Sequence, residues 1–398
     1  MTAEEYKTFW VIFDTCTKPP YYQDVHNILA MPKGWIIRYN YSSVLLSESA
    51  KKFANSFPDA PGRVLLVYGQ YAGYVRGQDD RESRKGKKMF WIPTRLAELV
   101  HVQIDGSMYY FDLKLLEYPS LEDGALGKIV DDLNAKKETP FNLWVSVSGC
   151  SGDLDTLTQR ANVGENWGLI VDRFQRTETQ FRGDSFWRLV GPYRASDKAL
   201  FSPIIQESYM KDDKGKHIAA KRSLYKVANQ QEFWFELDNR EPKPRKPRTQ
   251  KKAEEFEQMR EKYELVSGRV IGIEDKSGRV RSQTLELALR PYFSQSVYFH
   301  VRTDKLLTEE ESTVTFRTGP QSTSWPEGPN FDLTFKSGWL LWKIALGGLC
   351  ALLGLTALFT GNKLPEASLP CAVGLFVIGT LLTTSSAYIL YQELRFKY

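Results

Sequence analysis

Residues 267–320 read SGRVIGIEDKSGRVRSQTLELALRPYFSQSVYFHVRTDKLLTEEESTVTFRTGP, in the order strand, tight turn, strand, strand, long loop, strand. In an extended chain, residues two apart share a face. Over 297–301 this places Val297, Phe299 and Val301 on one face and Tyr298 and His300 on the other. The first set suits the interior of a small barrel, and the second stands outward as a pair of rings. Exposed rings stack on single-stranded bases at about 1–3 kcal/mol each, largely without sequence preference.

The segment resembles a cold-shock or OB-fold domain. Gly268-x-Val270-x-x-Ile273 is similar to that family's first strand and Lys276-Ser277-Gly278 to its turn. Val297-Tyr298-Phe299-His300-Val301 resembles its second RNA-binding motif, and Val314-x-Phe316 a later strand. The resemblance implies a small OB-like β-barrel over 263–330 and a nucleic-acid surface at Tyr298, His300, Lys276, Arg279 and Arg281. The family's first motif carries two aromatics beside the turn, whereas Arg279 and Arg281 stand here, with Gly272 at the first-strand aromatic position. Arginine planes also stack on bases. Residues 263–320 carry eight basic and eight acidic residues, so a barrel that binds protein, or one that spaces an anchor, remains a second reading.

Before this segment the composition changes abruptly. Residues 238–252 read DNREPKPRKPRTQKK, with prolines alternating with basic residues. Such a stretch cannot bury a core and reads as an extended linker. Its Lys243, Arg245, Lys246 and Arg248 are also candidates for contacting phosphates. Further upstream, strand-like runs dominate: FWVIF at 9–13, WIIRYNY at 35–41, RVLLVYGQY at 63–71, MYYFDLKLL at 108–116, WGLIVDRF at 167–174 and EFWFEL at 232–237. Helical periodicity fits 42–57 and 121–137. The stretch ESYMKDDKGKHIAAKRSLYKVANQQ reads as an exposed loop and helix. The fold class expected is α+β: a mixed domain at 1–150, a strand-rich region at 151–238, a linker and short helix at 239–262, and the barrel.

The C-terminal portion, 338–398, differs in kind. Residues 339–359 read WLLWKIALGGLCALLGLTALF and residues 369–390 read LPCAVGLFVIGTLLTTSSAYIL. Runs of this length, at 1.5 Å per residue, match the roughly 30 Å hydrocarbon thickness of a bilayer. They predict a two-helix transmembrane hairpin in the inner membrane. Flanking Lys336, Lys343, Arg395 and Lys397, against Lys363 in the intervening loop, place both termini in the cytoplasm. Small residues at Gly347, Ala351 and Gly354 and at Gly379, Thr383 and Ala387 would let helices approach closely. They pack the hairpin on itself or build a homo-oligomer.

The chain has 398 residues with 42% hydrophobic and 25% charged residues. That composition excludes a disordered chain, a fibre and a disulfide scaffold. Of 53 basic and 48 acidic residues, four and two lie beyond Gly338, so the remainder is nearly neutral. Cys16, Cys150, Cys350 and Cys371 are isolated and His26, His101, His217 and His300 are scattered. No metal-ligand spacing, P-loop or nucleophile elbow occurs, and no metal, cofactor or catalytic residue is expected. Ser146 to Asp153 reads as a loop, and the cluster QDDRESRKGKK at 78–88 as a solvated hairpin. The function expected is a cytoplasmic sensing or binding module joined to a membrane hairpin, acting as a membrane effector or as a nucleic-acid or nucleotide sensor, with the bilayer, single-stranded nucleic acid or a nucleotide, and an unidentified protein as partners. A membrane-tethered hydrolase or nuclease with a dispersed site, or a structural subunit of a membrane complex, is the alternative.

Overall fold

The computed structural model describes residues 9–15, 22–57, 62–71, 89–120, 147–151, 163–176, 181, 184–211, 215–229, 231–240, 270–282, 286–288, 294–302, 309–318 and 328–338. It also describes 348–349, 351–357, 373, 377, 379–380 and 383–384. The first layer is a six-stranded mixed sheet, built from β1 (Phe9–Thr15), β2 (Ile36–Ser42), β3 (Gly62–Tyr71), β4 (Met89–Asp105), β5 (Met108–Leu115) and β6 (Val147–Ser151). Its order is β2-β5-β4-β3-β1-β6. Only the β1–β3 pair is parallel. That pairing needs a long crossover, which here carries helices α1 (Tyr22–Ala30) and α2 (Glu48–Asn55). Ser47 starts α2 by accepting a hydrogen bond from the Ala50 amide at 3.2 Å. The central run Val64, Leu65, Leu66, Val67, Tyr68 is wholly buried, as a strand covered on both faces must be.

Helix α3 (Val163–Arg176) covers this sheet together with α1. The stretch WGLIVDRF, expected as a strand, lies within α3. Trp167, Ile170, Val171 and Phe174 follow helical spacing and are buried, while Leu169 is exposed. The period of the apolar residues, more than their β-branched content, decides its conformation. Arg95, fully buried on β4, donates to the carbonyls of Ile28 and Met31 at the end of α1 and to that of Leu116. Its guanidinium lies 3.9 Å from the centre of the Tyr118 ring. Cationic donors at a helix C-terminus satisfy its orphan carbonyls.

The remaining strands form two facing sheets. One contains β7 (Phe186–Arg194), β10 (Glu232–Arg240), β12 (Val280–Ser282) and β14 (Ser294–Val301), ordered β12-β14-β10-β7. The other contains β8 (Ile204–Lys211), β9 (His217–Ala228), β11 (Val270–Asp275), β13 (Glu286–Ala288), β15 (Glu310–Thr318) and β16 (Asn330–Gly338), ordered β13-β11-β15-β16-β9-β8. Their inner faces meet in an aromatic core. Phe233 packs 5.0 Å from Phe335 and 5.7 Å from Phe299, and Phe316 packs 5.8 Å from Phe331, centre to centre. Trp187 donates to Thr318 Oγ1 across the core at 2.8 Å.

This architecture corrects the expected OB-like or cold-shock-like barrel. Strands of the 267–320 segment divide between the sheets, β12 and β14 into one and β11, β13 and β15 into the other. Strand β14 pairs with β10, well upstream of it, so the segment completes a larger sandwich in place of closing on itself. The stretch expected as a loop and helix before β10 is instead the β8–β9 hairpin, in continuous antiparallel register from Ile204↔Leu224 to Lys211↔His217. Buried Ile218 and Ala220 alternate along β9, which is a strand period.

The transmembrane hairpin is also corrected, and with it the inner-membrane location and its orientation. Among the described residues, no helix is long and apolar enough to cross a membrane. The rest of 339–359 and 369–390 lies outside the described residues, as do the linker at 241–252, the stretch 121–137 and the cluster at 78–88.

A buried ion pair within the first sheet also bonds the backbone of the sandwich. Asp112 on β5 is fully buried and accepts from Arg38 Nε at 2.6 Å and Nη2 at 2.8 Å. It also accepts from the Lys221 amide of β9 at 2.7 Å, while Arg38 donates to the Ala219 carbonyl at 2.8 Å. Removing one member of such a pair strands a buried charge at a cost of about 3–5 kcal/mol. Arg38→Ala should therefore lower unfolding stability by that amount in urea titrations, whereas Lys114→Ala, which removes an exposed pair with Glu98, should cost less than about 1 kcal/mol.

Candidate functional site

On β10, Phe233, Phe235 and Leu237 face the core, so Glu232, Trp234, Glu236 and Asp238 face outward. On β14, Val297, Phe299 and Val301 face inward and Ser294, Ser296, Tyr298 and His300 outward. Register places Trp234 opposite Tyr298. On the other flank a bulge in β7 at Gly191 and Pro192 sets Tyr193 opposite Trp234. Gly191 adopts φ of 129°, a conformation L side chains avoid. A Cβ there would also lie 3.1 Å from the Trp234 carbonyl oxygen.

Three aromatic rings thus stand on adjacent strands. Tyr193 and Trp234 stack at 4.5 Å with planes 26° apart, and Trp234 lies 6.2 Å from Tyr298 at 40°. The row ends in Tyr298, which is 40% exposed. Carboxylates border the rings. Glu232 Oε1 is 3.8 Å from His300 Nδ1, and Ser294 Oγ contacts Glu236 and Asp238. Burial, and then Glu236 and Asp238, push the Tyr193 phenol above its usual range, so it stays a neutral ring.

The opposite end of this outer face is closed. Arg188 pairs with Asp238 at 2.7 Å and lies 4.8 Å from the Trp167 ring centre, so α3 covers it. Arg240 reaches Asp172 on α3 at 3.4 Å. The face therefore has a covered cationic end and an open aromatic end.

The structure separates the residues expected to bind nucleic acid. Tyr298 and His300 stand on the open aromatic end. Arg281 sits opposite His300 in register. Lys276 pairs with Asp332 at 3.0 Å and Arg279 with Glu310 at 3.3 Å, so both cations meet carboxylates of β15 and β16. Lys243, Arg245, Lys246 and Arg248 lie outside the described residues. Tyr193 and Trp234 were not among the expected site residues, though the alternation in EFWFEL already sets Trp234 on the face opposite Phe233 and Phe235. Of the small residues expected to pack helices, Gly354 lies against a second helical segment. A Cβ there would be 2.8 Å from the Gly379 carbonyl oxygen and 3.0 Å from the Thr383 amide. Ala351 is half-buried, and Gly347 and Ala387 lie outside the described residues.

Buried His26 is a second polar group with chemistry to consider. Its Nε2 is 3.2 Å from Asp184 Oδ2, and Phe186 stacks on the ring at 4.7 Å. At 2% exposure the ring is sealed from any substrate and serves to tie α1 to the start of β7. Among the described residues no group of His, Cys, Asp or Glu is arranged to hold a metal ion. No family model matches the sequence, and no curated protein matches it.

Asp24, in the first turn of α1, has its carboxyl pushed up to about 7 by burial. Burial outweighs the favourable helix N-terminus. The unfolded chain ionises this group from about pH 4 upward, whereas the folded protein keeps it protonated to about pH 7. Its contribution to stability therefore falls as pH rises through that window and stays unfavourable above it. Asp24→Asn should leave the melting temperature unchanged at pH 4 and raise it at pH 8.

Proposed function

We propose that the protein is a recognition module that binds a planar nitrogen heterocycle, a nucleobase, at the open end of the row Tyr193–Trp234–Tyr298. The observation carrying this reading is that row, held at close spacing and ending in a 40% exposed ring. A base laid on Tyr298 continues the stack, and stacking of this kind contributes about 1–3 kcal/mol per base. The carboxylates beside the rings favour a ligand with N–H donors, since Glu232 and Glu236 offer acceptor oxygens for ring N–H and exocyclic amino groups. They also oppose a row of phosphates. The ligand is therefore a base presented by a single strand or a nucleoside, held by its ring and not by its backbone.

Affinity driven by phosphate contacts falls steeply with salt. Affinity driven by stacking does not. A labelled single-stranded oligonucleotide, followed by fluorescence anisotropy, and guanosine, followed by calorimetry, should both bind. The oligonucleotide affinity should change little between low and physiological salt. Tyr298→Ala should weaken both by roughly 5- to 150-fold, while Lys276→Ala should not. Failure of both probes to bind, or binding indifferent to Tyr298→Ala, would remove the proposal.

A further inference from the structure

We infer that two copies of this chain pair through β8, joining their six-stranded sheets edge to edge about a two-fold axis. Strand β8 ends its sheet among the described residues. Six of its eight residues are exposed, including Tyr209 at 74% and Met210 at 50%. Protein sheets usually protect such edges with bulges, prolines or inward-pointing charges. Here the register with β9 is unbroken over the whole strand, and the sequence IIQESYMK contains no proline. The strand is thus regular along its open edge, with exposed apolar side chains at Ile204, Ile205, Tyr209 and Met210 and charges at Glu207 and Lys211, and a regular open edge is the form that accepts a further strand.

A second copy is the occupant that its charges fit. Glu207 and Lys211 lie two residues either side of Tyr209 and share its face; Glu207, 83% exposed, pairs with Lys221 of β9 at 2.8 Å and can meet a second cation from the open side. In antiparallel pairing about an axis through Tyr209, each Glu207 lies opposite the Lys211 of the other copy. The two Tyr209 rings then meet at the axis and each Met210 lies opposite a Ser208. Opposite charges and aromatic rings directly across a strand pair are both favourable. A two-fold contact of this kind is self-complementary and closes at the dimer. An acidic or a basic peptide would match one end of the strand and be repelled at the other.

Sedimentation velocity on the full chain, over a wide concentration range, should show a monomer–dimer equilibrium. Like charges occur twice per dimer in Glu207→Lys and in Lys211→Glu, so each single variant should dimerise at least roughly tenfold more weakly. The double variant Glu207→Lys/Lys211→Glu should recover the dimer. Tyr209→Cys should form a disulfide-linked dimer under mild oxidation that the unsubstituted chain does not. Circular dichroism melts confirm that each variant is folded, and Lys211→Glu, at the strand end, stands in if Glu207→Lys is not. A monomer at every concentration, growth beyond the dimer, or a dimer indifferent to both charge reversals and to Tyr209→Cys would overturn the inference.

Discussion

Arg38 and Asp112, paired within the first sheet, each also bond the backbone of β9 and so fix that sheet against the sandwich. Asp112 is taken wholly out of water and is satisfied from two directions, by Arg38 within its own sheet and by the Lys221 amide of the sandwich. A buried ion pair contributes little net stability over an apolar substitute, but it is costly to break. Its value here is directional. An apolar contact at this junction would tolerate sliding, whereas two guanidinium bonds and two backbone partners define one docking position. Around it the apolar surface is continuous, with Trp35 of the first layer stacked 5.3 Å from Tyr225 of the sandwich.

That docking position shapes the candidate site. Once the first sheet and its helices sit against the sandwich, α3 covers one end of the four-stranded sheet's outer face and leaves the other open. The covered end takes the arginines, Arg188 and Arg240, each paired with a carboxylate and lying near Trp167. The open end keeps the aromatic row. Placement of helices thus divides one sheet face into a covered end and an open end, with β7 and β10 running through both.

Strand alternation was legible from residue spacing alone. Tyr298 and His300 stand outward and Val297, Phe299 and Val301 inward, as the two-residue period requires. Other readings missed because a local pattern has more than one solution. WGLIVDRF satisfies a strand by composition and a helix by spacing, and burial of Trp167, Ile170, Val171 and Phe174 selects the helix. The 267–320 segment has the strand order of a small barrel, yet β14 finds a better partner in β10, whose Phe233 and Phe235 extend the same apolar face. Two long apolar runs without an amphipathic stripe predicted the membrane hairpin, whereas no helix among the described residues is long and apolar enough to cross a bilayer.

What the sequence by itself determined is therefore local: which residues of a strand share a face, where the glycine turn at Gly278 falls, and that isolated cysteines and scattered histidines form no obvious metal motif. These follow from periodicity and spacing, which act over a few residues. Tertiary structure alone decided which strands became neighbours, and so which outward rings met. Tyr193, Trp234 and Tyr298 are separated by 41 and 64 positions in the chain, and only the hydrogen-bonded order β14-β10-β7 brings them into one row. The physical reason is that strand pairing is chosen by burial of whole apolar faces. That quantity belongs to the assembled sheets and to no single segment.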